Sequence, residues 1–173
     1  MSRSAVGVIL AAGKGKRMKS AVARVLHPVA GRPMLDHVLS AVEQAGAERV
    51  LVVVGHQHEE VETHLAGRAT PVLQAEQLGT GHAVMQVRDH LAARGEDVLI
   101  VPGDVPLLTA DLLRRLVARH QAAGAAATLL TARVTDPTGY GRIVRDAGGR
   151  LEQIVEQADL QPGQEEINEV NTG

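Results

Sequence analysis

Apolar residues fall along this chain in two alternating rhythms. Val6 to Leu10 is an apolar run closed by Gly13. Arg49 to Val54 repeats the pattern before Gly55, and Val98 to Val101 repeats it before Gly103 and Asp104. Runs of this kind suit strands buried on both faces of a parallel sheet. Between them the spacing becomes helical. From Pro33 to Ala45, the residues Met34, Val38, Ala41, Val42 and Ala45 mark one face of a helix, and Gly46 is placed to end it. A short polar helix is expected from His58 to Leu65, a short strand from Val72 to Gln74, and a helix from Thr80 to Ala93 ending at Gly95. Thr109 is placed to cap a helix carrying Leu112, Leu113, Leu116 and Val117. Ala125 to Val134 reads as another strand. Beyond Pro137, four glycines punctuate Arg142 to Arg145 and Leu151 to Val155, the pattern of a hairpin.

Strands alternating with helices predict an α/β fold: a Rossmann-like, mostly parallel sheet with helices on both faces. Such sheets bind ligands at the carboxyl ends of their strands. Ala11 to Arg17, Gln74 to Gly81 and Gly103-Asp104 all fall at those ends, and this convergence is the main inference the pattern allows. No repeat, linker or low-complexity segment divides the chain, and Pro162 to Gln164 reads as a surface turn.

Composition narrows the function. The chain has 173 residues, of which 45% are hydrophobic, enough for one domain with a core. Phe and Trp are absent and Tyr140 is the single tyrosine, which argues against single-stranded nucleic-acid binding, where bases stack on aromatic platforms. A net charge of −2 implies no broad basic field, so any phosphate recognition is local. The lack of cysteine excludes disulfides, thiolate catalysis and cysteine-based zinc sites, and a reducing cytoplasm is the natural setting. The run from Ala5 to Ala12 is short and ends in a Gly/Lys loop, so it reads as a strand rather than a signal peptide. No apolar run approaches the length of a membrane span.

Three constellations carry candidate chemistry. Gly13-Lys14-Gly15-Lys16-Arg17-Met18-Lys19 places glycines and four cations after a buried strand. That suits an anion held on backbone N–H groups, and equally a solvated basic turn. It is neither a Walker loop nor the dinucleotide fingerprint, since Met18 stands at the third glycine position. Gly103-Asp104 puts a carboxylate at a strand end, able to hold Mg²⁺ beside substrate phosphates or simply to satisfy a turn. Gln74 to His82, reading QAEQLGTGH, offers amide and backbone groups to a base edge, or forms a turn before a helix. His82 then reads as a first-turn helix residue without catalytic duty. His56 and His58 form an H-x-H pair, but no third ligand has suggestive spacing. No Ser-His-Asp arrangement is arguable from order alone.

With these residues assembled, the chain resembles the sugar nucleotidyltransferases. Leu10-Ala11-Ala12-Gly13-Lys14-Gly15 with Arg17-Met18 is similar to their signature loop. QAEQLGTGH is more discriminating and resembles the uridylyltransferases of N-acetylglucosamine 1-phosphate. The segment from Val25 to Met34, GDVPLL at 103–108, DPTGYGRI at 136–143, Ile154-Val155-Glu156 and Glu169 to Gly173 follow in that family's order, so the resemblance covers essentially the whole chain.

The resemblance implies the nucleotide-diphospho-sugar transferase fold and a reaction of UTP with N-acetylglucosamine 1-phosphate, giving UDP-N-acetylglucosamine and pyrophosphate for bacterial cell-wall precursors. It implies that Leu10, Ala11, Ala12 and Gly13 hold the nucleotide, with Gln74, Gly79 and Thr80 reading uracil and its surroundings. Arg17 would bind the departing phosphates and Arg24 the reacting ones. Asp104 would bind Mg²⁺, Gly103 would lie against the ribose, and Gly141, Glu156 and Asn171 would hold the sugar. Neither nucleic acid nor membrane is an expected partner. Competing readings are a nucleotidyltransferase of other specificity and a module that binds the nucleotide sugar without turnover.

The chain departs from the family in three ways. Val22-Ala23-Arg24 stands where Leu-Pro-Lys is usual, and Lys16 stands where Thr or Ser is usual. Residues 1–173 are expected to be a C-terminally incomplete transferase domain. The family's second metal-binding asparagine lies farther on, as does the acetyltransferase β-helix through which full-length members form homotrimers. Ile167 to Gly173 accordingly reads as the start of a strand of the parallel sheet, and the chain is expected to be less stable and less active than a longer one.

Overall fold

The computed structural model describes residues 5–15, 18, 20–91 and 96–172. The first apolar run forms β1 (Ala5–Leu10). A 3-10 turn at Arg24–Leu26 and a small hairpin of β2 (Pro28–Val29) and β3 (Arg32–Pro33) lead into helix α1 (Met34–Gln44). Then come β4 (Ala47–Val54), α2 (His58–Leu65), β5 (Thr70–Leu73), α3 (Thr80–Met85), β6 (Asp97–Pro102) and α4 (Ala110–Ala123). These elements belong to the first of two compact units, which runs to Gly124.

The sheet of this unit is parallel, in the order β5-β4-β1-β6. The chain steps outward from β1 to β4 to β5 and then returns to the other side of β1 as β6. The strand order therefore reverses between β1 and β6, which is where sheets of this class open a ligand crevice. The register brings the carboxyl ends level, with Leu10 opposite Val53 on one side and Pro102 on the other.

Alternating residues of the strands face two cores. Ile9, Val52, Val54 and Val101 pack against Leu35, Leu39, Leu65 and Leu113 of α1, α2 and α4. Val6, Val8, Leu51 and Val53 pack against Ala83 and Val87 in and after α3. Helix α1 lies so close to β1 that a Cβ on Gly7 would fall inside the contact radius of the Val42 side chain. Thr109 caps α4 as expected, its hydroxyl accepting from the Leu112 N–H at 3.3 Å. Gly46, with φ of +97°, follows α1.

One helix is shorter than its sequence predicts. The run expected to reach Ala93 leaves α-geometry after Met85 and continues as a 3-10 turn at Arg88–His90. The side chain of Gln86 supplies the reason. Its Nε2 donates to the His82 carbonyl at 3.0 Å, the acceptor a continuing helix would reserve for the Gln86 backbone. The Gln86 N–H turns instead to Ala83, and the Val87 N–H to Val84, each at 3.2 Å. These are the tighter bonds of a 3-10 turn. Ala92 and Ala93 of the expected helix, and Gly95 expected to end it, lie outside the described residues.

The second unit begins at Ala125 and is antiparallel. Its strands are β7 (Thr131–Arg133), β8 (Arg142–Arg145), β9 (Leu151–Val155) and β10 (Glu169–Asn171), in the order β7-β10-β8-β9. The hairpin expected at 142–155 is present. The strand expected over Ala125 to Val134 contracts to three residues, because the alanine-rich stretch before it has little β preference and no strand partner among the described residues. The expectation for the last residues is corrected as well. β10 pairs antiparallel with both β7 and β8, so it lies inside this sheet and is no strand of the parallel one. The Glu169 carboxylate ties three strands together. It accepts from Thr131 Oγ1 at 2.8 Å on β7, and from Arg145 Nε and Nη2 on β8 at 2.9 and 2.6 Å. No helix among the described residues is long and apolar enough to cross a membrane.

Two outcomes follow from this packing. Gly7→Ala should lower stability by about 1–3 kcal/mol, the usual cost of overfilling a packed core, read as a lower urea midpoint. The Arg145 fork, with the Thr131 hydroxyl, holds the Glu169 carboxyl down from 4.5 to about 2. A depressed carboxyl contributes its full stability above its unfolded value and loses it as the pH falls through the folded one. Acid titration followed by circular dichroism should therefore show stability falling between pH 4.5 and about 2, and Glu169→Gln should flatten that fall. Superimposable acid limbs for the two proteins would contradict the assignment.

Candidate functional site

The crevice between β1 and β6 is built on a close backbone approach. The Gly103 N–H donates to the Leu10 carbonyl at 2.9 Å, and the Ala11 N–H donates to Val53 at 2.8 Å. These bonds extend the sheet past the last residue of β1 and keep Ala11 and Ala12 buried. A Cβ on Gly103 would stand 3.0 Å from the Leu10 oxygen and 3.2 Å from Ile9 and Val25, so any side chain here would make these neighbours give by a few tenths of an ångström. Asp104 follows at once, at the mouth of the crevice.

Arg24 reaches the same mouth from the other side of the loop. It opens the 3-10 turn, with its neighbours Ala23 and Val25 buried in the core. Its Nη2 would lie 2.9 Å from a Cβ placed on Gly13, and its Cβ 3.0 Å from one placed on Gly15, so the side chain runs along the glycine loop. It ends 3.3 Å from Asp104 Oδ2, with the two side chains 31% and 28% exposed. The Arg24 Nε is buried without a hydrogen-bond partner. A buried donor of that kind awaits an acceptor.

The segment before Arg24 is held by α2 and the residue that precedes it. Glu60 accepts from the Ala23 N–H at 3.3 Å, and Gln57 Nε2 donates to the Ala21 carbonyl. Sequence reasoning did not single out Gln57 or Glu60, and the only available signal was the polar start of that helix.

A second cluster stands at the ends of β4 and β5. The Gln74 N–H continues the ladder to Val54 at 2.7 Å, and its side chain is 2% exposed. Gln74 Nε2 lies 3.2 Å from the Gly79 carbonyl and 3.0 Å from His82 Nδ1. Gln77 Nε2 donates to the Gln74 carbonyl at 3.1 Å. Gly55 joins the two clusters: a Cβ there would stand 2.9 Å from both Ala12 Cβ and Gln77 Nε2. Thr80 opens α3 directly after Gly79. Gln77 and Gly55 are contacts the motif reading passed over.

The structure thus brings together Leu10, Ala11, Ala12, Gly13, Arg24, Gly103 and Asp104, with Gln74, Gly79 and Thr80 adjoining through Gly55 and Gln77. Arg17 and Lys16 lie outside the described residues. In the second unit, Gly141, Glu156 and Asn171 are neighbours of one another. The Asn171 N–H donates to the Gly141 carbonyl at 2.8 Å, and a Cβ on Gly141 would stand 3.1 Å from Glu156 Oε1. His58 is engaged by Glu62 at 3.1 Å, and among the described residues no group of three His, Cys, Asp or Glu side chains is placed to hold a metal.

What the first unit offers is a glycine loop with backbone amides, a guanidinium fixed by packing, one half-exposed carboxylate, and a buried carboxamide close by. That set suits a polyphosphate carrying a base. Residues 7–165 match the pattern of the MobA-like NTP transferase domain. The bifunctional protein GlmU of Enterococcus faecalis is 52% identical over 166 residues, which is 96% of this chain and 36% of that protein. Its counterpart in Trichlorobacter lovleyi is 54% identical over 168 residues, with the same two coverages. The chain spans about a third of the length of the curated relatives it matches. The parallel sheet with its crevice between β1 and β6, and a family match over most of the residues, place the chain in the MobA-like NTP transferase domain family.

Proposed function

We propose that the chain is a uridylyltransferase that joins UTP and N-acetylglucosamine 1-phosphate into UDP-N-acetylglucosamine, releasing pyrophosphate, in the cytoplasm. The observation that carries this reading is the facing pair of Arg24 and Asp104 over the glycine loop, 3.3 Å apart at the point where strand order reverses. The similarity of the chain to proteins named GlmU supports the choice of substrates. The same pair serves a nucleotidyltransferase of another base or sugar, and QAEQLGTGH is what favours uracil.

The chemistry asks little of the protein beyond placement and charge. An oxygen of the sugar phosphate, already anionic at neutral pH, attacks the α-phosphorus of UTP. The bond from that phosphorus to the bridging oxygen of the β-phosphate breaks, and the electron pair leaves with pyrophosphate. No general base is required. Leu10 to Gly13 hold the nucleotide against the sheet, and Gly103 leaves room for the ribose. Arg24 turns its guanidinium, including the unpartnered Nε, to the reacting phosphates, where a fixed cation stabilises developing charge. Arg17 binds the phosphates that depart. In the second unit, Gly141, Glu156 and Asn171 hold the N-acetylglucosamine.

Asp104 fits Mg²⁺. A single half-exposed carboxylate is a hard oxygen donor of the kind this ion takes when substrate phosphates and water complete its shell. When bound, the ion supplies positive charge against the phosphate oxygens.

The deciding experiment is pyrophosphate release from a panel of nucleoside triphosphates and sugar phosphates, with Mg²⁺ present. Release only with UTP and N-acetylglucosamine 1-phosphate is expected. Release with another pair would move the specificity, and binding of UDP-N-acetylglucosamine by calorimetry without release would leave a binding module. Asp104→Asn should cut turnover strongly while leaving metal-free nucleotide affinity nearly unchanged. Arg24→Ala should lower kcat/KM by about 2–4 kcal/mol of transition-state stabilisation, the scale of a lost charge-assisted contact. Arg24→Lys should recover part of that loss. A loss no larger than that of exposed Arg150→Ala would remove Arg24 from the mechanism.

A further inference from the structure

We propose that His82 is a positioning residue that sets the donor–acceptor polarity of the Gln74 carboxamide, and with it the preference for a uracil-type base. The inference rests on the proposed role of Gln74 at the base.

A carboxamide has two ends of nearly equal size, and which end faces a ligand decides what it reads. Gln74 is 2% exposed, so water cannot settle the choice. Its Nε2 lies 3.2 Å from the Gly79 carbonyl and 3.0 Å from His82 Nδ1. A carbonyl only accepts, so the NH₂ end must lie on this side. Nδ1 must then carry a lone pair, which makes His82 neutral with its proton on Nε2.

The far side of the ring meets Gln86. That amide lies 3.1 Å from His82 Nε2 and 3.0 Å from the His82 carbonyl. The two glutamines cannot both donate to a neutral imidazole. Gln86 keeps its NH₂ on the His82 carbonyl, and being half-buried it can draw back from Nε2 and leave the Nε2–H to water. Gln74 has no such freedom, and turning it over would press a buried oxygen against the Gly79 carbonyl. An unsatisfied buried group costs more than an exposed one, so Gln74 keeps its orientation.

With both NH₂ hydrogens engaged, Gln74 presents Oε1 as an acceptor, to which no described residue donates. Uracil has an imide N3–H to give it. Cytosine presents a lone pair at the same ring position and is repelled. Without the Nδ1 acceptor, reversing the carboxamide forfeits one hydrogen bond instead of two, and discrimination weakens.

The test compares kcat/KM for UTP and CTP in the 173-residue chain and its variants. His82→Leu should reduce the UTP-over-CTP ratio about tenfold, the scale of one hydrogen bond, chiefly through a higher KM for UTP. His82→Asn, whose Oδ1 can stand in for Nδ1, should restore most of the ratio. If His82→Leu folds and keeps the wild-type ratio, the positioning role is overturned while the role of Gln74 stands. If the wild-type chain does not prefer UTP, or Gln74→Leu leaves its preference intact, the base-reading role of Gln74 fails and takes this proposal with it. Nitrogen NMR of the wild-type imidazole needs no variant: a proton on Nδ1 of His82 overturns the proposal, and a proton on Nε2 alone supports it.

Discussion

At the ends of β1 and β6 one backbone hydrogen bond carries the pairing past the strands. The Gly103 N–H donates to the Leu10 carbonyl at 2.9 Å, and a side chain on Gly103 would crowd Leu10, Ile9 and Val25. The site takes its position from this contact. It lies where strand order reverses and delivers Asp104 to the end of β6, within 3.3 Å of the Arg24 that runs along the glycine loop. Behind it, β1 and β4 are packed on both faces and β6 on one, so the placement of groups at the strand ends is inherited from the core and not from the loops themselves.

The Arg24–Asp104 pair is a poor brace, and the proposed function gives it another purpose. Side chains about 30% exposed gain little net stability from a contact at 3.3 Å. The guanidinium also carries a buried Nε with no partner, which is a cost. Burial of Ala23 and Val25 on either side, with Glu60 and Gln57 holding the preceding backbone, keeps Arg24 there despite that cost. On the proposed function, stability elsewhere in the fold is spent on holding a cation ready.

Much of the fold was legible because the strands of a parallel sheet carry continuous apolar runs, as β1, Val50 to Val54 of β4 and Val98 to Val101 of β6 do; the run in β6 is buried on one face only, with Val98 and Ile100 exposed. Helices α1 and α4 were legible from their spacing, Gly46 and the Thr109 cap. The end of α3 was not, because a single side chain, Gln86, takes the carbonyl that the helix needs. The placement of β10 was not, because three residues carry no sign of parallel or antiparallel pairing. In the site, the glycine motifs located the loop and Asp104, and the family resemblance named Arg24 and Gln74. The contacts that hold them were silent in the sequence. Ala23 and Glu60 are 37 residues apart, and no periodicity links a loop amide to a helix carboxylate at that distance.

The Glu169 cross-tie has a consequence for how the second unit finds its alignment. Its strands are three to five residues long and offer few apolar positions, so hydrophobic patterning specifies pairing weakly. A slip of β10 by one residue would turn Glu169 to the opposite face of the sheet, away from both Thr131 and Arg145. The carboxylate would then be stranded without its partners, and the slipped pairing would be penalised far more than a short apolar strand could manage alone. The charge is therefore satisfied in this one alignment of β10 and in neither neighbouring one.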